Sequence, residues 1–243
     1  MPDPASVRAM FGRIAPHYDL LNRALSLGID QRWRRRAVQS VAQALAGSAE
    51  LRADALLGRT IVDVCCGTGD LALLFRQAGA RVLGLDFTPA MVARAADKAS
   101  GRALFGQGDA LHLPLRDASV DATSIAFGLR NVGDRLQGLR ELARVTRPGG
   151  IVLVLEFSMP RGALLGRAYR TYFTRLLPGI GRVVSRDADA YSYLPRTVLA
   201  WPQPAELEQE LRSVGLVDCE HVLLSRGIAC LHLGRVRSAG LPG

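Results

Sequence analysis

The stretch IVDVCCGTGDLAL, Ile61 to Leu73, carries three small residues, Gly67, Gly69 and Ala72, in the spacing G-x-G-x-x-A. They follow an apolar run and open a segment with helical periodicity. Small residues at those positions permit a tight turn and let a ligand approach the backbone at a helix N-terminus. Asp86, with Phe87 beside it, ends the next apolar run, about 20 residues further on, where a carboxylate can accept both hydroxyls of a ribose. Turn, spacing and carboxylate together point to an adenosine-bearing ligand.

Two such ligands fit that pattern. A dinucleotide needs free N–H groups for its pyrophosphate, whereas S-adenosylmethionine has no phosphate and carries a sulfonium, an ammonium and a carboxylate. Asp63 precedes the turn, Asp70 follows it and Asp109 sits after a third apolar run, so a carboxylate-rich surround favours the cationic ligand and repels a pyrophosphate. On that reading Asp86→Ala weakens donor binding by about 1.5–3 kcal/mol and leaves the fold intact.

The elements that must hold these residues alternate. TIVDVCC, RVLGLDF, ALFGQGD, VDATSIAFGL and GGIVLVLEFS read as strands, separated by helices or loops such as PAMVARAADKA and DRLQGLRELARVT. That alternation predicts an α/β fold with a doubly wound, mostly parallel sheet. VDCEHVLLS and GIACLHLGRV are joined too briefly for a crossover and predict an antiparallel hairpin at the sheet edge. A single domain over 1–243 is expected: a helical N-terminal cover (1–50), a donor-binding core (58–158), a helical substrate-side insertion (159–202), and a last helix with the edge hairpin (203–243). In the cover, Trp33, Ala37, Val41 and Leu45 recur at helical spacing and Gly47 ends the run.

The 243 residues are 49% hydrophobic with a formal net charge of +9, and Lys98 is the only lysine. No apolar run reaches the length of a membrane span, and MPDPASVRAMFGRIAPHYD has no apolar signal core, so a cytoplasmic chain is expected. The basic charge suits an RNA, an anionic membrane surface or simply a basic solvated face. The densest cluster, QRWRRRAV, pairs Arg32, Arg34, Arg35 and Arg36 with apolar residues, as a surface-bound helix would. Cys219, His221, Cys230 and His232 could share a hairpin face, but their spacing matches no common zinc pattern and no metal is expected.

Tyr18, Asp187, Tyr191 and Tyr193 lie outside the strand–helix repeat, in the segments placed to cover the ligand edge, and are candidates for a substrate pocket. His17 is a further candidate base, and His112 reads as a surface or loop-anchoring residue.

FGRIAPHYDLLNRALSLGIDQRWRR, DVCCGTGDLAL, GDALHLPL, AFGLRNVGDR and RVTRPGGIVLVLEFS together resemble the menaquinone and ubiquinone biosynthesis C-methyltransferases. The likeness continues through LLPGIGRVVSRDADAYSYLPRTVLAWP to GIACLHLG. It implies a class I, Rossmann-like methyltransferase that uses S-adenosylmethionine to methylate a ring carbon of a polyprenyl quinol, demethylmenaquinol first. The ubiquinone-pathway quinol, an RNA or another small molecule remain alternatives. Beside Asp63, Gly67, Gly69 and Phe87, expected at the donor from the turn and its surround, the resemblance implies donor contacts at Thr68, Asp86, Asp109, Ala110 and Ala126, and an active-site pair Arg130 and Asn131 that stabilises the phenolate. A cap for the helix starting near Asp134 is the competing role for that pair. The implied partners are a lipid quinol and, transiently, the anionic inner face of a membrane, with no nucleic acid and with room for a homodimer. One position departs from the family: Asp30 stands near where relatives carry a histidine.

Overall fold

A computed structural model describes residues 4–26, 28–47, 50, 52–160 and 188–238. The cover forms α1 (Pro4–Ile14), a short turn of helix, α2 (Tyr18–Ser26) and α3 (Ile29–Ala46), the last ended by Gly47 in the left-handed region (φ 67°) as expected for a C-terminal glycine. Then come β1 (Thr60–Val64), α4 (Asp70–Gln77), β2 (Arg81–Asp86), α5 (Pro89–Ala99), β3 (Leu104–Gln107), β4 (Val120–Ala126), α6 (Arg135–Val145) and β5 (Thr146–Phe157). The chain closes with α7 (Ala188–Leu199), α8 (Pro204–Ser213), β6 (Leu216–Leu224) and β7 (Ala229–Val236).

The strands form one sheet in the order β3-β2-β1-β4-β5-β7-β6. Five are parallel, and β7 runs antiparallel between β5 and β6, so the expected hairpin does occupy the edge. Strand β5 shows why the sheet is buried on both sides: Ile151, Leu153 and Leu155 pack with α3 and α4, while Val152 and Val154 pack with α6 and α8. A strand covered on both faces needs apolar residues at every position.

Helix α3 corrects one expectation. Its apolar face, Trp33, Ala37, Val38 and Val41, lies in the core, and Arg34 is buried and paired with Asp30. Only Arg32, Arg35 and Arg36 of its cluster are exposed, so no apolar face is free to enter a bilayer. Asp30, the departure from the family, also accepts a hydrogen bond from Ser26 Oγ at 2.7 Å.

The hairpin histidine has a measurable consequence. His232 Nε2 donates to the Pro204 carbonyl at 3.0 Å, and Nδ1 is buried without a partner. Burial, aided by the neighbouring His221, lowers the His232 pKa to about 4. The unfolded chain therefore binds this proton at higher pH than the native one, and the contribution is lost as pH falls from about 6.5 to 4. It reaches about 3 kcal/mol. Denaturant titrations should show His232→Gln lacking that part of the pH dependence. An unchanged slope would refute it.

Candidate functional site

Strand order reverses between β1 and β4, and the crevice outside their C-terminal ends is where an open α/β sheet binds ligands. Both strands end in unusual backbone. Cys65 (φ 53°) follows β1 and Phe127 (φ 57°) follows β4, each left-handed although neither is glycine. Such strain clusters at functional sites. A Cβ on Gly128 would lie 2.4 Å from Cys65 Cβ, so the two strand ends approach closely.

The glycine turn is built for close packing. Gly69 caps α4 with φ 83°, and a Cβ there would meet the Phe105 ring at 2.9 Å. Asp86 braces the turn from the next strand, one oxygen accepting the Gly67 N–H at 2.9 Å and the other the Thr88 N–H at 2.8 Å. Burial raises its pKa, and those two donors oppose the shift.

A cavity enclosing about 840 Å³, part of it open to solvent, lies above this turn. Cys65, Gly67, Ala126, Phe127 and Gly128 line its floor, and Asp86, Phe87, Met91, Asp109, Ala110 and Leu111 one wall. The cover supplies Val7, Arg8, Phe11 and Tyr18, and Asn131 and Val132 complete the lining. Arg8 lies 5.3 Å over the Phe87 ring. Tyr18 is held partly by Asn22, and burial raises its pKa.

Six of the nine expected donor positions thus face the cavity: Gly67, Asp86, Phe87, Asp109, Ala110 and Ala126. Asp63, Thr68 and Gly69 do not line it. Asp63 is buried beneath the turn, accepting from Ser124 Oγ at 2.7 Å, and burial raises its pKa to about 7. Thr68 Oγ donates to Asp19 and is met by Lys98 Nζ at 3.2 Å. Asp70 is bound by Lys98 at 2.7 Å and Gln31 at 3.2 Å; burial would raise its pKa, but Arg34 and Lys98 outweigh this and hold it low.

The expected ring of carboxylates is therefore corrected to two, Asp86 and Asp109, because Asp63 and Asp70 are committed inside the fold. With Arg8 they present two negative groups and one positive. That net negative lining suits a cationic ligand better than a pyrophosphate, and Phe87, Met91 and Leu111 offer apolar surface to an adenine.

Arg130 and Asn131 separate. Asn131 faces the cavity, its Oδ1 accepting from Tyr193 Oη at 3.0 Å. Arg130 turns away into the protein, where Nη1 meets both oxygens of Glu156 at 3.1 and 3.0 Å and also the Phe127 carbonyl. Burial raises the Glu156 pKa and the Arg130 charge opposes that. The guanidinium lies 5.4 Å over Phe157, whose ring packs 4.7 Å from Phe127, and Arg34 lies 5.3 Å over Phe127. The helix cap once weighed for this pair belongs to Asp134, which accepts from the Gln137 N–H at 3.0 Å.

Of the substrate candidates, Tyr18 lines the cavity and Tyr193 reaches it through Asn131, while Asp187 and the side chain of Tyr191 lie outside the described residues, as does that of His17. His112 is exposed. Among the described residues, no group of three or more histidine, cysteine, aspartate or glutamate side chains could hold a metal ion.

Sequence reasoning missed Val7, Arg8, Phe11, Phe127 and Glu156. Only Glu156 left a signal, a lone charge inside the apolar run GGIVLVLEF that had to find a partner.

Comparison with known proteins places the chain as a whole. The model of the ubiE/COQ5 methyltransferase family matches residues 2–236. The chain is 45% identical to the demethylmenaquinone methyltransferase of Deinococcus radiodurans, over 96% of this chain and 93% of that protein. It is 44% identical to the protein of the same name from Thermus thermophilus, over 93% and 99%. A Geobacter ubiquinone/menaquinone biosynthesis C-methyltransferase is 42% identical over 94% and 95%. Among solved structures, the cyclase SpnF superposes with a TM-score of 0.67 at 20% identity, covering 98% of this chain and 97% of that one. A S-adenosylmethionine-dependent methyltransferase from Thermotoga maritima gives 0.61 at 19%, covering 94% and 99%. Both show the fold.

Proposed function

Because this chain belongs to the ubiE/COQ5 methyltransferase family, we propose that it transfers a methyl group from S-adenosylmethionine to a ring carbon of demethylmenaquinol. The observation that carries this reading is the cavity at the β1/β4 crevice, with Asp86 bracing the glycine turn and two carboxylates set against one guanidinium. Segment 58–158 holds the donor, and the cover helices α1 and α2 close over the quinol. S-adenosylmethionine supplies an electrophilic methyl group on a sulfonium, and attack on it needs alignment and a dry pocket more than further charge.

The chain's own residues supply that alignment. Asp86 accepts the ribose hydroxyls, Phe87, Asp109 and Ala110 flank the adenine, and Ala126 gives van der Waals contact below. Tyr18 and Phe11 exclude water from the cover side. Asn131, oriented by Tyr193, offers its amide N–H to the ring oxygen that becomes phenolate. Arg130 works from behind it, holding the loop through Glu156 and the Phe127 carbonyl. The phenolic proton passes to water, the methyl group moves from sulfur to the ring carbon as S-adenosylhomocysteine leaves, and the proton then lost from that carbon restores the phenol, one proton being released in all.

A polyprenyl quinol stays in the bilayer, so the enzyme must visit its surface. Among the described residues, no helix is long and apolar enough to cross a membrane. Exposed Arg32, Arg35 and Arg36 suit weak electrostatic contact with an anionic inner leaflet.

Incubation with S-adenosylmethionine and each reduced quinone, with product identified by mass, should give methylated menaquinol as the main product and faster turnover on anionic than on neutral vesicles. Calorimetry should show S-adenosylhomocysteine binding and NAD not. Tighter binding of NAD would overturn the donor, and turnover of neither quinol by folded, donor-bound protein would overturn the substrate.

A further inference from the structure

We propose that Lys98 is a positioning residue for donor binding, clasping the N-terminal cover onto the back of the glycine turn. This rests on the donor reading above. Lys98 Nζ on α5 meets Asp19 of α2 at 2.5 Å and Asp70, the first residue of α4, at 2.7 Å. The same ammonium reaches Thr68 Oγ at 3.2 Å, and Thr68 in turn donates to Asp19. One cation thus joins the cover, the turn and the helix that the turn begins.

The clasp lies next to the ligand face without being part of it. Asp19 follows Tyr18 in the chain, and Tyr18 lines the cavity with its ring carbon 3.6 Å from where a Gly67 Cβ would sit. Fixing Asp19 therefore fixes Tyr18 over the turn. Leu20, on the other side of Asp19, is 63% exposed and adds little apolar hold beside it. Lys98 also does more than bond. Asp19 and Asp70 both contact the same nitrogen, so without it two carboxylates face each other, and their repulsion pushes the cover off the donor site.

That repulsion gives the proposal a signature that a merely structural lysine would not show. Calorimetry of the full chain with S-adenosylhomocysteine should find Lys98→Met weakened by about tenfold, as the loss of a partly buried charge network implies. Asp19→Asn in the same background should recover most of the affinity by removing the like charge, and Lys98→Arg should stay near the wild type. In turnover assays the loss should appear in KM for the donor, with kcat at saturating donor little changed. Should Lys98→Met fail to fold, Asp19→Asn alone, expected to be weakened by roughly threefold, serves the same comparison.

A second readout uses the uniqueness of this side chain. Acylation of the only lysine, followed by mass spectrometry of its peptide, should slow several-fold when S-adenosylhomocysteine closes the cover. Unchanged affinity in Lys98→Met, failure of the double variant to recover, or acylation indifferent to the ligand would each overturn the clasp. A wild-type chain that binds no S-adenosylhomocysteine would overturn the donor reading itself and the clasp with it.

Discussion

Asp86→Ala should bind S-adenosylhomocysteine roughly a hundredfold more weakly, about 3 kcal/mol, the upper range for hydrogen bonds to a charged group. The same variant should also lose stability. Both Asp86 oxygens already accept backbone N–H groups, from Gly67 and Thr88, and alanine leaves those donors unpaired at about 1–3 kcal/mol each. The sequence alone led to an intact fold for this variant; the structure shows the same carboxylate bracing the turn through two backbone N–H groups. Asp86→Asn keeps an acceptor for one of the two donors and should fall between. Calorimetry and denaturant unfolding on the three proteins separate the two losses. Wild-type affinity in a folded Asp86→Ala would remove Asp86 from the donor site.

The second large effect is expected at Glu156. Its side chain and that of Arg130 are 1% and 7% exposed, so Glu156→Gln strands a buried guanidinium and should cost about 3–5 kcal/mol. Replacing both partners by apolar residues, Arg130→Met with Glu156→Leu, removes the uncompensated charge and should restore most of that stability. Turnover in the restored double variant should nonetheless drop at least tenfold, roughly 1.4 kcal/mol of barrier, with donor affinity unchanged, because the loop carrying Asn131 loses its anchor on Phe127 and Glu156. Unfolding midpoints and donor-saturated rates measure both halves. A double variant with wild-type turnover would take Arg130 out of the catalytic machinery.

Much of the scaffold was legible because local patterns carried it. Alternating apolar runs and helical spacings set the strand–helix repeat. The short link before Ala229 led to an antiparallel end, and G-x-G-x-x-A with Asp86 located the ligand edge. Each of these signals is a property of neighbours in the chain, namely side-chain period, turn length and the conformational freedom of glycine, so it survives without knowledge of the fold.

What only the tertiary structure decided is where charges end. Asp63, Asp70, Asp86 and Asp109 read alike in sequence, yet burial beside Ser124 commits the first and Lys98 with Gln31 the second, leaving two to face the cavity. Arg34 and Arg130 look like exposed or catalytic cations, but Asp30 and Glu156 claim them from below. The helix that read as a membrane face turned its tryptophan into the core. The physical reason is common to all of these. The energy of a charge depends on its surroundings in three dimensions, on burial and on partners drawn from distant elements, and none of that is encoded in spacing along the chain.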